Sequence, residues 1–456
     1  MRQRVLFAPR NISGQATEYL ESIRPFGFDG EVWSYGPPAF GFSADRVIDP
    51  DRLLADPSYR WDLFDQAVRS FDIFHLQYSR SLLPPEGVVL PELWDLPLLR
   101  SLGKRVVMSF RGSDVRIPSE HRRREPDSYL AHQSGTIDED RIRSRIAICR
   151  RFCDAMLVST PGLLDDVPDA QWLPHVIDVT TWEAPRDSER AVPVVLHIPS
   201  SRATKGSEVI DAEIGALAGE GHIEYRSLAD LSRSELREAV RSADLVIDSL
   251  TIGDHGLISV EAMAAGAIPI AHISKANRER NPGVPVVEAT IHSLRDVVRR
   301  LAGDPEARQE LRRTCAAFVR ERHDRSVIGP ELADLYRAPR RPVDRAYPQW
   351  PRTDHQRRVA ALEARIDELE ADVDPVVRGF GSFRSTLPRR VADQLLGRIS
   401  ALEAEIAELR GEAHPDRGRR HTRPSSPDLR DRLKANPRLH RLVRVARRHL
   451  LRARKR

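Results

Sequence analysis

The residues best suited to chemistry lie in two short turns, each following an apolar run. The first is Pro199-Ser200-Ser201-Arg202-Ala203-Thr204-Lys205-Gly206, after Val194-Val195-Leu196-His197-Ile198. The second is Gly253-Asp254-His255-Gly256, after the run from Leu245 to Ile247 that ends in Asp248. An apolar run closing on a polar residue reads as a buried parallel strand reaching the carboxyl edge of its sheet. A helical pattern begins after each turn, at Ser207 and at Gly256, where Leu257, Val260 and Ala264 point inward and Glu261 stands one turn in. Free N–H groups and the dipole at a helix start attract an anion. Arg202 and Lys205 beside such a start suit a diphosphate, and ligands of open α/β sheets bind in the crevice at this edge. Two ordinary βαβ units with incidental charges account for the same spacing.

The N-terminal half offers further candidates. Arg4 to Ala8 reads as a strand, and Asn11-Ile12-Ser13-Gly14 as a small-residue loop before a helix from Gln15 to Ile23. Such a loop permits close approach of a ligand at Gly14, or is a simple tight turn. His75 sits near the end of the strand Ile73 to Gln77, where it either reaches a cleft or serves as a satisfied core residue. The strand Arg105 to Phe110 ends in Arg111-Gly112-Ser113-Asp114-Val115-Arg116. Cys149 and Cys153 lie on a predicted helix without His or Cys partners at metal spacing, so a structural metal and a disulfide scaffold are both unexpected. No Ser/His/Asp triad or dinucleotide glycine fingerprint competes with the two turns.

Together the turns resemble the nucleotide-binding half of GT-B fold glycosyltransferases, particularly glycosyltransferase family 4. That family has a basic turn ending Lys-Gly, here Lys205-Gly206. It also has a later Gly-Leu-x-x-x-Glu-Ala-Met-Ala-x-Gly, here Gly256-Leu257 through Glu261-Ala262-Met263-Ala264 to Gly266. The resemblance covers roughly residues 1 to 335 and is strongest from 194 to 273. It implies a sugar moved from a nucleotide-diphosphate donor to a glycan or lipid-linked acceptor, with retained anomeric configuration and no metal or other cofactor. It implies that Arg202 and Lys205 hold the donor diphosphate and that Glu261 holds the ribose. Asp254, His255, Gly256, Leu257 and Gly14 complete the expected donor site. The turn at Arg111 is similar to the family's His-Gly-x-Asp, with Arg111 where His is frequent. There Asp114 either binds a sugar hydroxyl and orients the acceptor, with His75 as its catalytic companion, or caps a helix. Two features depart from the family: Gly253 stands where a Glu is usual, and the basic pair is closer than usual. A catalytically degenerate scaffold at the membrane, or a nucleotide-sugar epimerase, remains an alternative class.

Positioning these turns requires α/β architecture. Strand–helix alternation on both sides of a proline-rich linker predicts two doubly wound, Rossmann-like domains over 1–182 and 183–338, with residues 326–337 placed to cross back. Residues 118–135 read as an irregular acceptor-side loop. Val359, Leu362, Ile366, Leu369 and Val373, then Leu395, Ile399, Leu402, Ile406 and Leu409, form heptad seams. They predict coiled-coil segments over 355–411 and a route to a homo-oligomer. The net charge of +5 is uneven: from Arg417 to Arg456 there are 16 Lys plus Arg against 2 Asp, a local +14, leaving 5 − 14 = −9 for the rest. Within this basic tail, 412–456, Leu439, Leu442, Val443, Ala446 and Leu450 share one helical face, which suits an anionic membrane surface. Nucleic acid is the weaker partner, since the tail lacks aromatics for base stacking. Met-Arg-Gln-Arg enters a strand at once and no apolar run approaches the ~20 residues of a span, which predicts a cytoplasmic protein peripheral to the membrane.

Overall fold

In the computed structural model, which describes residues 2–38, 41–83, 92–131, 137–184, 189–342, 361–369 and 397–406, two parallel sheets organise the first 342 residues. The first sheet contains β1 (Gln3–Ala8), β2 (Phe28–Tyr35), β3 (Arg46–Ile48), β4 (Ile73–Gln77), β5 (Arg105–Phe110), β6 (Ala155–Val158) and β7 (Gln171–Trp172). Its order is β3-β2-β1-β4-β5-β6-β7. The second contains β8 (Val194–His197), β9 (Glu224–Ser227), β10 (Leu245–Ile247), β11 (Ile268–Ala271) and β12 (Val287–Glu288), in the order β12-β11-β10-β8-β9. The two doubly wound α/β sheets expected from the alternation are therefore observed, in keeping with the GT-B fold that the resemblance implied.

Both sheets are covered on both faces, which explains why their central strands are predominantly apolar. Along β1 successive side chains alternate: Leu6 and Ala8 join the cluster with Phe74 and Met108, while Val5 and Phe7 join that with Tyr19 and Val107. In the second domain Leu196 and Val246 face one cluster, and Val195, Leu245 and Ile247 the other. Strand direction of winding reverses between β1 and β4 in the first sheet and between β8 and β10 in the second. Loops leaving such paired strands splay apart, opening a crevice at the carboxyl edge.

The two passages between domains run side by side. Ile177 bridges Asp324, with the Ile177 amide donating to His323 O at 2.9 Å and the Arg325 amide donating to Ile177 O at 3.1 Å. Ile177, Val179 and Trp182 already lie in the second domain's core, so the first passage precedes the expected boundary at residue 182. The helix Arg325–Arg337 returns to the first domain, where Ile328, Leu332, Ala333 and Tyr336 pack around Phe7 and Tyr19. Residues 118–131 are more ordered than their polarity suggested: Pro118–Arg124 is a helix and Tyr129–Ala131 a 3-10 turn. All three cysteines are buried and free.

The second compact unit begins at Trp350. Its described residues 361–369 and 397–406 are helical, and the seam residues Ile366, Leu369, Ile399 and Ile406 form one buried apolar cluster with Leu362 and Leu402 against it. The basic tail, 412–456, lies outside the described residues. No described helix is long and apolar enough to cross a membrane.

Candidate functional site

The carboxyl edges of the two sheets face one cavity of about 550 Å³. The loop after β1 contributes Ser13 and Gln15, the loop after β5 contributes Arg111 and Arg116, and His175 comes from the interdomain passage. From the second domain come Ser200, Thr204 and Lys205 after β8, and Asp254, His255, Gly256 and Leu257 after β10. A narrower slot of about 150 Å³ shares Ser13, Ser200, Lys205 and Leu257 with it, and is lined further by Phe42, Arg233 and Glu261.

Lys205 and Asp248 organise the second-domain wall. The Lys205 ammonium donates to Asp248 Oδ1, while Asp248 Oδ2 accepts from the Gly256 amide at 2.6 Å and from Ser259 Oγ at 2.7 Å. Burial works to raise the Asp248 carboxyl, but Lys205 and these hydrogen bonds outweigh it and hold it below the ordinary carboxylate range. The start of the helix Leu257–Ala264 therefore meets an internal carboxylate, which takes part of the anion attraction that the bare sequence assigned to a ligand. Gly206, left-handed at φ 74°, turns the chain so that the Lys205 side chain reaches this carboxylate.

Four of the expected donor residues, Asp254, His255, Gly256 and Leu257, line the cavity together with Lys205. Asp254 is only partly free, since its Oδ2 accepts from the Gly162 amide of the first domain at 2.8 Å and its Oδ1 from the His255 amide at 2.9 Å. Glu261 lines the slot and forms an ion pair with Arg233 at 2.6 Å, yet burial outweighs that pairing and pushes its carboxyl up to about 7. Arg233 also stacks on Phe42 and Trp182, at 5.0 and 4.7 Å from their centroids.

Other expectations are corrected. Arg202 is exposed and paired with Asp211, outside the cavity, because its four-residue helix Arg202–Lys205 turns it toward the following helix. His75 is fully buried and both ring nitrogens are engaged, Nδ1 with Tyr336 Oη at 2.6 Å and Nε2 with Ser109 Oγ at 2.5 Å. Burial lowers it to about 3, so it is a neutral core residue beneath the returning helix and not a cleft base. Asp114 is buried within its own turn, accepting from the Arg111 and Gly112 amides at 2.9 Å each and from Ser79 Oγ at 3.2 Å. It caps no helix; it braces the turn that presents Arg111. Gly14 adopts φ 72° and its missing Cβ would stand 2.5 Å from the Phe42 ring, so the glycine makes room for Phe42 while Ser13 and Gln15 face the cavity.

Beside the expected His255, two further histidines at the site, His175 and His323, carry no sequence signal. His175 and His255 line the cavity, each buried with an Nδ1 that has no hydrogen-bond partner. His323 stands behind them, its ring edge-on to His255 at 6.4 Å and its Nδ1 bonded to His175 O at 2.7 Å. Burial, with Arg111 and the neighbouring rings, keeps His175 well below the usual imidazole range. Three histidines spread over 150 positions of chain have no common spacing to read. Among the described residues no group of His, Cys, Asp and Glu is arranged to hold a metal.

A seam of polar contacts holds the cavity closed beside Gly253. His121 Nε2 meets Ile252 O at 3.0 Å, and His272 Nε2 meets Glu125 Oε2 at 3.0 Å while its Nδ1 meets Glu288 at 2.6 Å. Hydrogen bonds to Glu125 and Glu288 raise the His272 ring to about 9 against burial. A group raised above its unfolded value stabilises fully below that value, 6.5, and loses its contribution as pH rises through about 9. Melting temperatures measured across that window should fall with pH in the native chain and fall less in His272→Gln. Equal slopes would remove His272 from the seam.

No family model and no curated protein sequence matches this chain. Solved structures do. Sucrose-phosphate synthase from Thermosynechococcus elongatus aligns over 74% of this chain and 98% of its own at 14% identity, with a TM-score of 0.52. The Anabaena protein HepE in complex with UDP and glucose aligns over 74% and 99% at 12% identity, with a TM-score of 0.49. The first likeness is one of fold: the same pair of domains, at an identity too low to carry chemistry.

Proposed function

We propose that the protein is a glycosyltransferase that moves a sugar from a nucleotide-diphosphate donor to a glycan or lipid-linked acceptor. The observation that carries this reading is the single cavity at the winding reversals of both sheets, continuous with an apolar-walled slot that ends at a buried carboxylate, Glu261. In this reading the nucleoside occupies the slot, its ribose near Glu261, and the diphosphate lies beside Lys205 in the larger cavity. The fold shared with sucrose-phosphate synthase is compatible with this reading. The acceptor oxygen bonds to the anomeric carbon as the bond from that carbon to the diphosphate oxygen breaks. The electron pair leaves with the diphosphate, and the acceptor proton passes to the departing oxygen. Retention of configuration and metal independence belong to the same proposal, as do oligomerisation through 355–411 and membrane attachment through the basic tail.

Turnover of radiolabelled nucleotide sugars, with calorimetry of nucleoside diphosphates, tests the reading. Transfer of label to an acceptor or to water is the expected result. Lys205→Ala should weaken a nucleoside diphosphate by roughly 1.5–3 kcal/mol, the scale of a hydrogen bond to a charged group. Free epimerised nucleotide sugar would favour the epimerase. Failure of every nucleoside diphosphate to bind would favour a scaffold, a reading that draws on Gly253, on the engagement of Asp254 in the domain seam and on Arg233 already occupying Glu261.

A further inference from the structure

The second-domain wall of the cavity is electrically balanced before any ligand arrives. Lys205 answers Asp248, Glu261 answers Arg233, and Arg202 is turned outward onto Asp211. A diphosphate placed there would meet little uncompensated positive charge. The opposite wall is different. Arg111 and Arg116 line the cavity, and among the described residues neither forms an ion pair. Arg111 donates to neutral partners, Gln77 Oε1 at 3.0 Å and Tyr19 Oη at 3.5 Å, and its buried Nε has no partner. Arg116 folds back over Gly112, where a Cβ would approach its Nη1 to 3.3 Å. The carboxylate that feels its charge, Asp166, is already bonded to Arg124 at 3.2 Å. Both side chains thus come from one glycine turn braced by Asp114, and neither is matched by a carboxylate, although the Arg111 guanidinium also lies 5.3 Å from the Tyr19 ring centroid.

We propose that Arg111 and Arg116, from the first domain, bind the diphosphate of a nucleotide donor held by the second domain and offset the charge of the leaving group. The inference rests on the donor reading above but reverses its charge assignment: the domain that does not hold the nucleoside supplies the cations. A guanidinium fork matches two phosphate oxygens at once, which suits it to a diphosphate. The buried Nδ1 of His175, which has no hydrogen-bond partner, provides a further polar contact at the same cavity, whereas His255 Nδ1 lies 3.3 Å from Asp254 Oδ1. Because the nucleoside slot and the two arginines belong to different domains, leaving-group stabilisation requires both domains at the cavity.

The test is calorimetry of the full chain with UDP, ADP, UMP, AMP and inorganic pyrophosphate, using Arg111→Gln, Arg116→Gln and Arg116→Lys, with melting curves to establish that each variant is folded. Each Gln variant should weaken whichever diphosphate binds by tenfold or more, on the order expected for a charge-assisted hydrogen bond, and the matching monophosphate by much less. Arg116→Lys should recover part of the loss, since it keeps charge without the fork. Unchanged diphosphate affinity in both Gln variants would overturn the inference while leaving the donor reading intact. If no nucleotide binds but pyrophosphate does, and depends on both arginines, the anion site stands and the donor reading falls. If neither nucleotides nor pyrophosphate bind, both fall.

Discussion

Asp248→Ala should lower stability by about 3–5 kcal/mol, the range for removing one partner of a buried charge pair. The carboxylate is fully buried and holds three donors at once: the Lys205 ammonium, the Gly256 amide and the Ser259 hydroxyl. Alanine leaves all three without their acceptor and leaves the Lys205 charge, whose side chain is 13% exposed, uncompensated. Urea denaturation would measure the loss, and a double-mutant cycle gives it meaning. Lys205→Ala alone should also destabilise, because Asp248 then stands charged and unpaired. The double variant should cost clearly less than the sum of the two. Additive losses would show that the residues do not depend on each other, and the description of this wall as balanced would be wrong. The result bears on function as well as folding, because the same pair sets the direction of the Gly256 amide at the cavity.

Gly253→Ala should cost about 2–4 kcal/mol, combining a left-handed backbone with a filled space. At φ 74° a non-glycine residue pays roughly 1–2 kcal/mol. The new Cβ would lie 2.3 Å from Glu125 Oε1, so the buried Glu125 carboxylate must shift away from His272 Nε2, and loss of that buried contact adds roughly 1–3 kcal/mol. The two causes separate experimentally. Gly253→Ala made in a Glu125→Ala background should cost only the backbone share. Should it cost as much there as in the native chain, Glu125 does not dock at Gly253 in solution. The family resemblance places a glutamate at this position. Here the first domain's Glu125 occupies the space beside Gly253, so glycine is a requirement of the domain contact.

Much of the fold was legible because it depends on short-range pattern. Predominantly apolar runs such as Ile73 to Gln77 and Arg105 to Phe110 are strands in the structure over the same residues, since a strand buried on both faces is apolar along most of its length. The two glycine turns were legible for a related reason: the chain must turn beyond a strand's end, and Gly206 and Gly253 take up left-handed conformations in those turns. These local facts place Lys205, Gly256 and Leu257 at one edge of one sheet, where they are found.

The sequence was silent on who pairs with whom. Arg202 and Lys205 are equivalent as a basic pair in a string of letters, yet one faces Asp211 at the surface and the other Asp248 in the interior. His75 and Asp114 sit at suitable strand ends, but their directions were settled by Tyr336 and Ser109 and by the Arg111 and Gly112 amides. Tyr336 lies 261 positions from His75, and Glu125 lies 147 from His272, so no local period encodes either contact. Periodicity determines which face of an element is apolar, and hence the layers of the fold. The charge that remains free in the cavity, on Arg111 and Arg116, is what is left after every other ion pair has been made, and only the assembled tertiary structure makes that subtraction.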